Sequence, residues 1–281
     1  MIYLLLAIAS SALISIIMRI SERYVRNEMG MFMANYAICA VLSFLYMGDK
    51  TILFRVSGQW DFVTLMLGII SGVLYLVSFV FMKQNMKRNG IVMTSTFMKL
   101  GVLVPTLMAI VVFGEIPGAT QLIGFLFAVG GILVMYLEKE TVHFSGNKFM
   151  LLLLLFLSGL TDSMANIFEK VGQVDYKDIY LLITFGAALL LACIFMLRAK
   201  ERVRGKDLLV GVLIGIPNYF SARFLLLSLG QLQAVLVYPM YSVTTILVTT
   251  LAGIVLFGES VSRKKICALG MVALAMVLLN V

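Results

Sequence analysis

Charged residues are scarce in this chain, since Asp, Glu, Lys and Arg together make up 13% of its 281 residues, against about 25% in an average soluble domain. Apolar residues make up 62% of the chain. A water-soluble fold of this length cannot hide so much apolar surface. The polar stretches between apolar runs are also too short to form a soluble domain. The composition therefore excludes a water-soluble protein and predicts an integral membrane protein.

Histidine and cysteine are also rare, with one histidine and three cysteines in the whole chain. Cys39, Cys193 and Cys267 lie in apolar runs without a Cys-x-x-Cys pair, which excludes a disulfide framework and predicts small packing residues. His143 alone provides too few ligands for a histidine metal site. We therefore expect neither a metal nor a cofactor.

Catalytic motifs are missing as well. The sequence contains no HExxH motif, no paired acidic metal motif and no Ser/His/Asp set built around its single histidine. A membrane-embedded lipid-processing enzyme is therefore the weaker alternative, and we expect that the protein is not an enzyme. The sequence has no Gly-rich loop followed by Lys-Ser or Lys-Thr, so ATP hydrolysis is excluded and energy must come from a gradient of proton, cation or solute.

Long apolar runs are what the chain does contain. A spanning helix needs about 20 predominantly apolar residues, whereas a barrel strand alternates over about 10. The first run has no basic segment before it, so we interpret it as a membrane helix and not as a signal peptide. The ten predicted spans are residues 2–21, 30–48, 61–82, 91–113, 119–137, 149–168, 178–197, 207–229, 234–257 and 265–281.

Short motifs recur in order at nearly one spacing. "VVFGE" at 111–115 returns as "VLFGE" at 255–259, and "ISER" at 20–23 returns as "IFEK" at 167–170, which are shifts of 144 and 147 residues. A glycine pair of the form Gly-x-x-x-Gly recurs with a shift of 143, at Gly68 and Gly72 and at Gly211 and Gly215. Such pairs let helix backbones approach closely in lipid.

This pattern predicts an internal duplication, with an N-terminal repeat at 1–143 and a C-terminal repeat at 144–281 in one membrane domain. Because each repeat has an odd number of helices, the second copy must enter the bilayer upside down. The predicted fold is an all-α membrane protein of ten transmembrane helices, arranged as two inverted five-helix repeats. Inverted repeats are typical of secondary transporters, whose substrate site lies near the midplane between the copies.

The basic residues predict an orientation. If ten helices alternate, one face carries fifteen lysines and arginines in its loops and the other face carries four. The positive-inside rule places the richer face in the cytoplasm and both termini outside. The net charge of +8 then reflects membrane orientation and not nucleic-acid binding. Glu115 and Glu259 precede the fifth and tenth predicted helices, where an acid matches the helix dipole.

The duplicated Phe-Gly-Glu turns, Gln121 and Gly124 after the first of them, Pro105 in the fourth predicted helix and the five-plus-five plan resemble the drug/metabolite transporter superfamily in its ten-helix EamA-like form. The resemblance covers the whole chain. It implies carriers of small organic solutes such as amino acids, nucleotide sugars, sugar phosphates, quaternary amines and drugs. Several such carriers place both termini in the cytoplasm, opposite to the orientation that the basic loops predict.

The four-helix multidrug exporters of this superfamily carry a glutamate in helix 1, eight residues before a lysine. In this chain Asp162 precedes Lys170 by eight residues, and Ser15 precedes Arg23 by eight. The resemblance therefore implies a coupling acid at Asp162, as aspartate and in one copy only. It implies that Ser15 holds the matching cavity position in the other copy.

Ionisable residues inside predicted helices are functional hypotheses, because a charge in hydrocarbon is expensive. Arg19 lies close to a helix end and can reach the headgroups. Asp162 and Arg223 are each six residues from a predicted helix end, hence about 9 Å below the same face. We hypothesise that they form an ion pair, either static or acting as a gate that opens when substrate replaces one partner.

Lys99 is predicted to lie deeper, about 12 Å into the fourth helix. Two readings stay open. Lys99 is either neutralised by burial or paired with Asp162, or it faces a water-filled cavity and meets an anionic group of the substrate. The family resemblance favours the second reading, because phosphate-carrying members use basic residues in the corresponding helix.

Polar and aromatic side chains near these charges and near Pro105, Pro217 and Pro239 complete the predicted cavity wall. Each proline frees a carbonyl four residues back, which belongs where a helix faces protein or water. Tyrosine offers an apolar face with a hydroxyl tip, which suits an organic solute. The predicted substrate-binding set is Lys99, Thr96, Ser95, Asn218, Tyr219, Tyr238, Tyr241, Asn166, Tyr75 and Ser15, with Asp162 and Arg223 for coupling or gating.

These features predict a secondary active transporter that moves a small zwitterionic or anionic metabolite across the cytoplasmic membrane by alternating access, with proton coupling as one mechanism. The alternative within transport is a multidrug or cationic-compound exporter that uses Asp162 as its coupling carboxylate. The expected partners are a small-molecule substrate and the lipid bilayer, and not nucleic acid. The sequence leaves the choice between monomer and dimer open.

Overall fold

The predicted all-α membrane fold is confirmed. The computed structural model describes every residue except 22–23, 52–58, 90, 137–147, 200–201, 258–262 and 280–281, and the regular structure of the described residues is helical. Seven described helices are long and apolar enough to cross a membrane, and shorter apolar helices cover Phe97–Val111, Ala119–Val134 and Ile266–Leu279. The helices are α1 (Ile2–Ser21), α2 (Glu28–Leu45), α3 (Gln59–Asn89), α4 (Ile91–Leu100), α5 (Leu103–Val111), α6 (Ala119–Tyr136), α7 (Lys148–Val171), α8 (Lys177–Ala199), α9 (Gly205–Leu229), α10 (Ala234–Phe257) and α11 (Arg263–Leu279).

The fourth predicted span is divided into α4 and α5 by a turn at Gly101 and Val102. Pro105 has no N–H to donate to the Gly101 carbonyl four residues back. That carbonyl instead accepts the N–H of Val104 at 2.9 Å. The sequence predicted a disturbance at this proline, and the structure shows a complete break. Pro217 and Pro239, in contrast, lie inside the continuous helices α9 and α10.

The chain forms two compact units. Unit 1 consists of Met1–Leu76 and Ile167–Ser228, and unit 2 consists of Val77–Asn166 and Leu229–Val281. Each unit contains segments from both halves of the sequence, so the units do not coincide with the repeats predicted at 1–143 and 144–281. The repeat boundary stays a prediction.

In unit 1 the duplicated glycine pairs mark close helix contacts. Gly72 of α3 lies so near α8 that an added Cβ would stand 2.5 Å from the Thr184 carbonyl oxygen. Gly215 of α9 lies equally near α2, where an added Cβ would stand 2.7 Å from the Asn35 carbonyl oxygen. The two glycine pairs therefore perform the packing role that the sequence predicted, each against a helix from the other half of the chain.

In unit 2 the main packing partners are α6 with α11 and α5 with α10. Gly124 and Gly131 of α6 bring its backbone against α11, since added Cβ atoms would lie 3.0 Å from the Leu278 side chain and 2.9 Å from the Val272 side chain. Small and branched residues fill the core between α6, α10 and α11, namely Ala128, Val243, Val272 and Ala275. Close packing of small residues drives helix association in lipid, where water supplies no hydrophobic force between helices.

Carboxylates fix two helix starts. Asp207, buried in the first turn of α9, accepts the main-chain N–H groups of Arg26 at 2.9 Å and Arg204 at 3.0 Å, which ties the α1–α2 loop to α9. Glu115 accepts the N–H of Val235 at 2.8 Å in the first turn of α10. Glu115 therefore caps the start of α10, a helix that lies far from it in sequence. Glu259 lies outside the described residues.

Replacing Gly72 by alanine is expected to lower the melting temperature of the purified protein in detergent. The new methyl group would overlap backbone atoms of α8 that cannot move aside, and overpacking of this kind typically costs about 1–3 kcal/mol. The matched control is Gly186→Ala in α8, where an added Cβ meets nothing within 4 Å. Equal melting temperatures for the two variants would contradict the packing described here.

Candidate functional site

Asp162 lies on the inner part of α7, nine positions before Val171, where the helix ends. At the α-helical rise this places it about 13 Å from the helix end. The sequence analysis ended this helix at residue 168 and so placed Asp162 at the depth of Arg223. The longer helix removes that coincidence of depth, because Arg223 remains six positions before the end of α9.

Hydrogen bonds join the turn of α7 from Ser158 to Asp162 to three other helices, α3, α4 and α10. Ser158 Oγ donates to the Met98 carbonyl of α4 at 3.3 Å, and Tyr238 Oη of α10 donates to the Asp162 carbonyl at 2.7 Å. Ser78 Oγ of α3 lies 2.8 Å from Thr161 Oγ1. Thr161 donates its own proton to the Leu157 carbonyl at 2.7 Å, so Ser78 is the donor in the contact between the two hydroxyls.

The break between α4 and α5 packs directly on this turn. An added Cβ on Gly159 would stand 2.5 Å from the Gly101 carbonyl oxygen, so the two backbones are in contact. Lys99 is in the last turn of α4, two residues before Gly101, and its carbonyl accepts the N–H of Val102 at 3.3 Å. The interrupted helix therefore brings a lysine close to the only described turn of α7 that carries an aspartate.

Lys99 and Asp162 carry opposite charges on packed segments, because the break that follows Lys99 contacts the turn of α7 that carries Asp162. No salt bridge joins these two described side chains. Opposite charges near each other inside a protein offset part of the cost of leaving water. The choice between the two readings of Lys99 stays a prediction.

Asp162 has an exposed surface, although its carboxyl group is surrounded by protein atoms and lies in a membrane-spanning helix. The exposed apolar stripe of α7 consists of Phe149, Leu152, Phe156 and Leu160. At about 100° per residue, Asp162 is rotated roughly 120° away from the centre of that stripe. Its neighbours at helical spacing, Ser158 and Asn166, are buried. The exposed surface of Asp162 is therefore on the protein-facing side of α7 and not on the stripe that faces lipid.

Asn166 lies one turn after Asp162 on the same side of α7. Its side chain is 1% exposed, and its amide nitrogen has no hydrogen-bond partner among the described residues. An unsatisfied buried amide is expensive, so such a group is a candidate for ligand contact. Tyr241 lies on α10, half-buried, three residues after Tyr238. Ser95 and Thr96 lie in α4, but their side chains are outside what the structure describes.

The other predicted substrate-binding residues lie in unit 1 and form separate contacts there. Asn218 donates from its amide nitrogen to Asn35 Oδ1 at 3.2 Å, which joins α9 to α2. Ser15 donates to the Ser11 carbonyl within α1 at 3.2 Å. The Tyr75 ring lies 6.4 Å from the Phe185 ring, between α3 and α8. Of the predicted residues, unit 2 therefore contains Ser95, Thr96, Lys99, Asp162, Asn166, Tyr238 and Tyr241, and unit 1 contains Ser15, Tyr75, Asn218, Tyr219 and Arg223.

Arg223 corrects the ion pair that the sequence suggested. Its guanidinium forms a salt bridge with Asp178 of α8 at 2.9 Å, whereas the sequence analysis paired it with Asp162. It also donates to the buried Tyr219 hydroxyl and, at 3.3 Å, to the Tyr46 carbonyl. Asp178 accepts the N–H of Gly48 at 3.3 Å as well. The gate hypothesis for Asp162 with Arg223 is therefore replaced by an Arg223–Asp178 contact within unit 1.

Sequence reasoning missed Asp178 because it lies at the first turn of α8, where an acid is expected at a helix start. It also missed Ser78 and Ser158, since single serines in apolar runs carry little signal. The signal that could have identified Ser158 is its position four residues before Asp162, on the same helical face.

Comparisons with known proteins agree with a transporter. Residues 178–272 match the family model of the Small Multidrug Resistance protein. An uncharacterized protein from Haemophilus influenzae is 21% identical over 198 residues, which cover 68% of this chain and 67% of that protein. A solved crystal structure matches 99% of this chain and 98% of its own chain with a TM-score of 0.75 and 13% identity, which shows a shared fold. The family match and the apolar helices together support a multi-pass membrane transporter.

A double-mutant cycle on Arg223 is expected to show coupling with Asp178 and additivity with Asp162. Both members of the salt bridge are about a quarter exposed, so the expected coupling energy between Arg223→Gln and Asp178→Asn is about 0.5–1 kcal/mol. The measurement is the free energy of unfolding of the purified single and double variants. Coupling of Arg223→Gln to Asp162→Asn instead would restore the pairing suggested by the sequence.

Proposed function

We propose that the protein is a secondary transporter of the drug/metabolite transporter superfamily, in its EamA-like form, that carries a small zwitterionic or anionic metabolite. The observation that carries this proposal is the placement of Lys99 beside the α4–α5 break, which packs on the turn of α7 that carries Asp162. Opposite charges inside a membrane protein that are not joined in a salt bridge are suited to bind a polar solute between them. A static ion pair between Lys99 and Asp162 could form equally well from an unbroken helix.

The chemistry of the two groups suggests how they share a substrate. The Lys99 ammonium is a compact cation that suits a carboxylate or phosphate. The Asp162 carboxylate accepts hydrogen bonds from an amine of the substrate. When the substrate has no amine, the carboxylate takes up a proton. Asn166 adds a buried amide donor whose nitrogen has no partner among the described residues. A zwitterion satisfies all three groups, and an anion satisfies Lys99 and Asn166 while a proton neutralises Asp162.

The proposal of alternating access rests on the helix break and on the internal duplication. Discontinuous helices form the substrate sites of many inverted-repeat transporters. The predicted repeats are supported by matched contacts in unit 1, where Gly68 and Gly72 meet α8 and Gly211 and Gly215 meet α2. Under the 144-residue relation these are the same contact made twice. Two similar repeats of opposite orientation would allow two equivalent conformations, one open to each side of the membrane.

The proposed location is the cell membrane, with the loops rich in lysine and arginine in the cytoplasm and both termini outside. On this orientation the Arg223–Asp178 contact lies towards the outer face, because α9 ends and α8 begins there. The driving force is a gradient of proton, cation or solute. Proton coupling would act through Asp162, since a carboxylate is the group whose charge a proton can remove.

A second candidate is a multidrug or cationic-compound exporter. The match of residues 178–272 to the Small Multidrug Resistance protein family favours it, as does the spacing of Asp162 and Lys170. In that case Asp162 would alternate between proton and cation, and Lys99 would repel the cargo. Ligand charge therefore separates the two candidates.

Lys99→Met is expected to abolish binding of the transported solute while leaving the protein monodisperse in detergent. The first measurement is a thermal-shift screen of metabolites of known charge on the wild-type protein. A ligand at 100 times its dissociation constant stabilises the native state by about 2.7 kcal/mol, which is readily detected. The hits are then titrated against Lys99→Met, with Lys206→Met, an exposed lysine of α9, as the matched control.

Reconstituted vesicles extend the same test to Asp162. Asp162→Asn should preserve folding and remove the pH dependence of uptake of the hits. Unchanged affinity in Lys99→Met, or hits restricted to organic cations, would overturn the zwitterion or anion carrier and favour the second candidate.

A further inference from the structure

Tyr238 joins α10 to the turn of α7 that carries Asp162. Its side chain is fully buried, with 2% exposure, and its hydroxyl donates to the Asp162 carbonyl oxygen at 2.7 Å. The sequence assigned Tyr238 to substrate binding because a tyrosine can cup an organic solute. The hydroxyl instead holds the main chain of the residue whose carboxylate is proposed to act.

We infer that Tyr238 is a positioning residue that sets the geometry between Asp162 and Lys99. The inference rests on the transport role proposed above for these two charges. A carbonyl inside a helix already accepts an intrahelical N–H, so an additional tyrosine hydroxyl is an anchor from outside the helix. The anchor fixes Asp162 from α10, while Ser158 fixes the Lys99 segment by donating to the Met98 carbonyl.

The segment of α10 that carries Tyr238 is held on its N-terminal side and can bend on its C-terminal side. Glu115 accepts the N–H of Val235, three residues before Tyr238. Pro239 follows Tyr238 and removes one intrahelical hydrogen bond, which gives α10 a point of bending. Bending at Pro239 would therefore move the anchor on Asp162, so that the conformation of α10 and the position of the carboxylate change together.

Tyr238 acts on the charge pair from outside it. Lys99 is the charged residue in the last turn of α4, next to the break that packs on the Asp162 turn. Ser78 of α3 and Ser158, which contact the same turn, are neutral. A change in the position of Asp162 therefore changes mainly its interaction with Lys99, and removal of Lys99 should cancel the effect of removing the Tyr238 hydroxyl.

The test measures the protonation of Asp162 directly and needs no substrate. Dicyclohexylcarbodiimide enters membrane sites and modifies carboxyl groups in their protonated form. The rate of modification at Asp162 is measured by peptide mass spectrometry on the full-length protein in detergent, across a pH series. Loss of the nearby positive charge in Lys99→Met should raise the rate at neutral pH, because the carboxylate is then less stabilised.

Tyr238→Phe is expected to raise the same rate roughly threefold or more, because the carboxylate is then held less firmly beside Lys99; a tenfold rise would correspond to a change of about one unit in its pKa. In the Lys99→Met background the same substitution should add no further change. Ser158→Ala provides a second variant with the same expected direction, should Tyr238→Phe fold poorly. Tyr180→Phe is the matched control, because it removes a buried tyrosine hydroxyl that lies 2.8 Å from Ser71 Oγ in unit 1.

The outcomes separate this inference from the proposed function. If Tyr238→Phe lowers the melting temperature as Tyr180→Phe does and leaves the modification rate at Asp162 unchanged, Tyr238 is merely structural and the inference fails. An effect of Tyr238→Phe that is as large without Lys99 as with it also overturns the inference. If Lys99→Met itself leaves the rate unchanged, the electrostatic basis of the proposed site fails.

Discussion

The cost of placing charge inside hydrocarbon is the constraint from which the rest of the molecule follows. Lys99 and Asp162 lie in apolar helices, where an ionised side chain is destabilising by several kcal/mol unless it has partners. The segments that carry the two charges pack together at Gly101 and Gly159, and Asp162 lies on the side of α7 away from its apolar stripe. Apolar residues at both positions would make the fold more stable than the two charges do. We therefore interpret the two charges as functional.

Packing places this pair with little freedom. Gly101 and Gly159 allow the α4–α5 break to touch α7, and hydrogen bonds from α3 and α10 and to α4 surround one turn of that helix. A broken helix leaves carbonyls and side-chain ends near the membrane centre, where they are tolerated only beside protein or water. The small residues and the polar groups therefore serve one arrangement. The small residues let the helix backbones come into contact, and the polar groups hold the charged residues at that contact.

The fold was largely predictable because ten long apolar runs leave little freedom in assigning the helices. Glycine pairs such as Gly68 and Gly72 also indicate where helices pack closely. The candidate site was predictable in its rarest residues, Lys99 and Asp162. The partner of Arg223 was not predictable, because the depth of a side chain depends on where its helix ends. The helix α7 is three residues longer than predicted, so Asp162 and Arg223 do not share a depth. Arg223 forms its salt bridge with Asp178. Hydrogen bonds to main-chain carbonyls, as made by Tyr238, leave no trace in sequence.

Water access to Asp162 tests the account most directly. In a protein whose three native cysteines are replaced, Asp162→Cys is compared with Leu160→Cys, which lies on the apolar stripe. A charged, membrane-impermeant methanethiosulfonate reagent reacts only with thiols that water reaches. The account predicts rapid reaction at position 162 and protection at position 160, in vesicles and in detergent. Protection at 162, or faster reaction at 160 in vesicles, would contradict it.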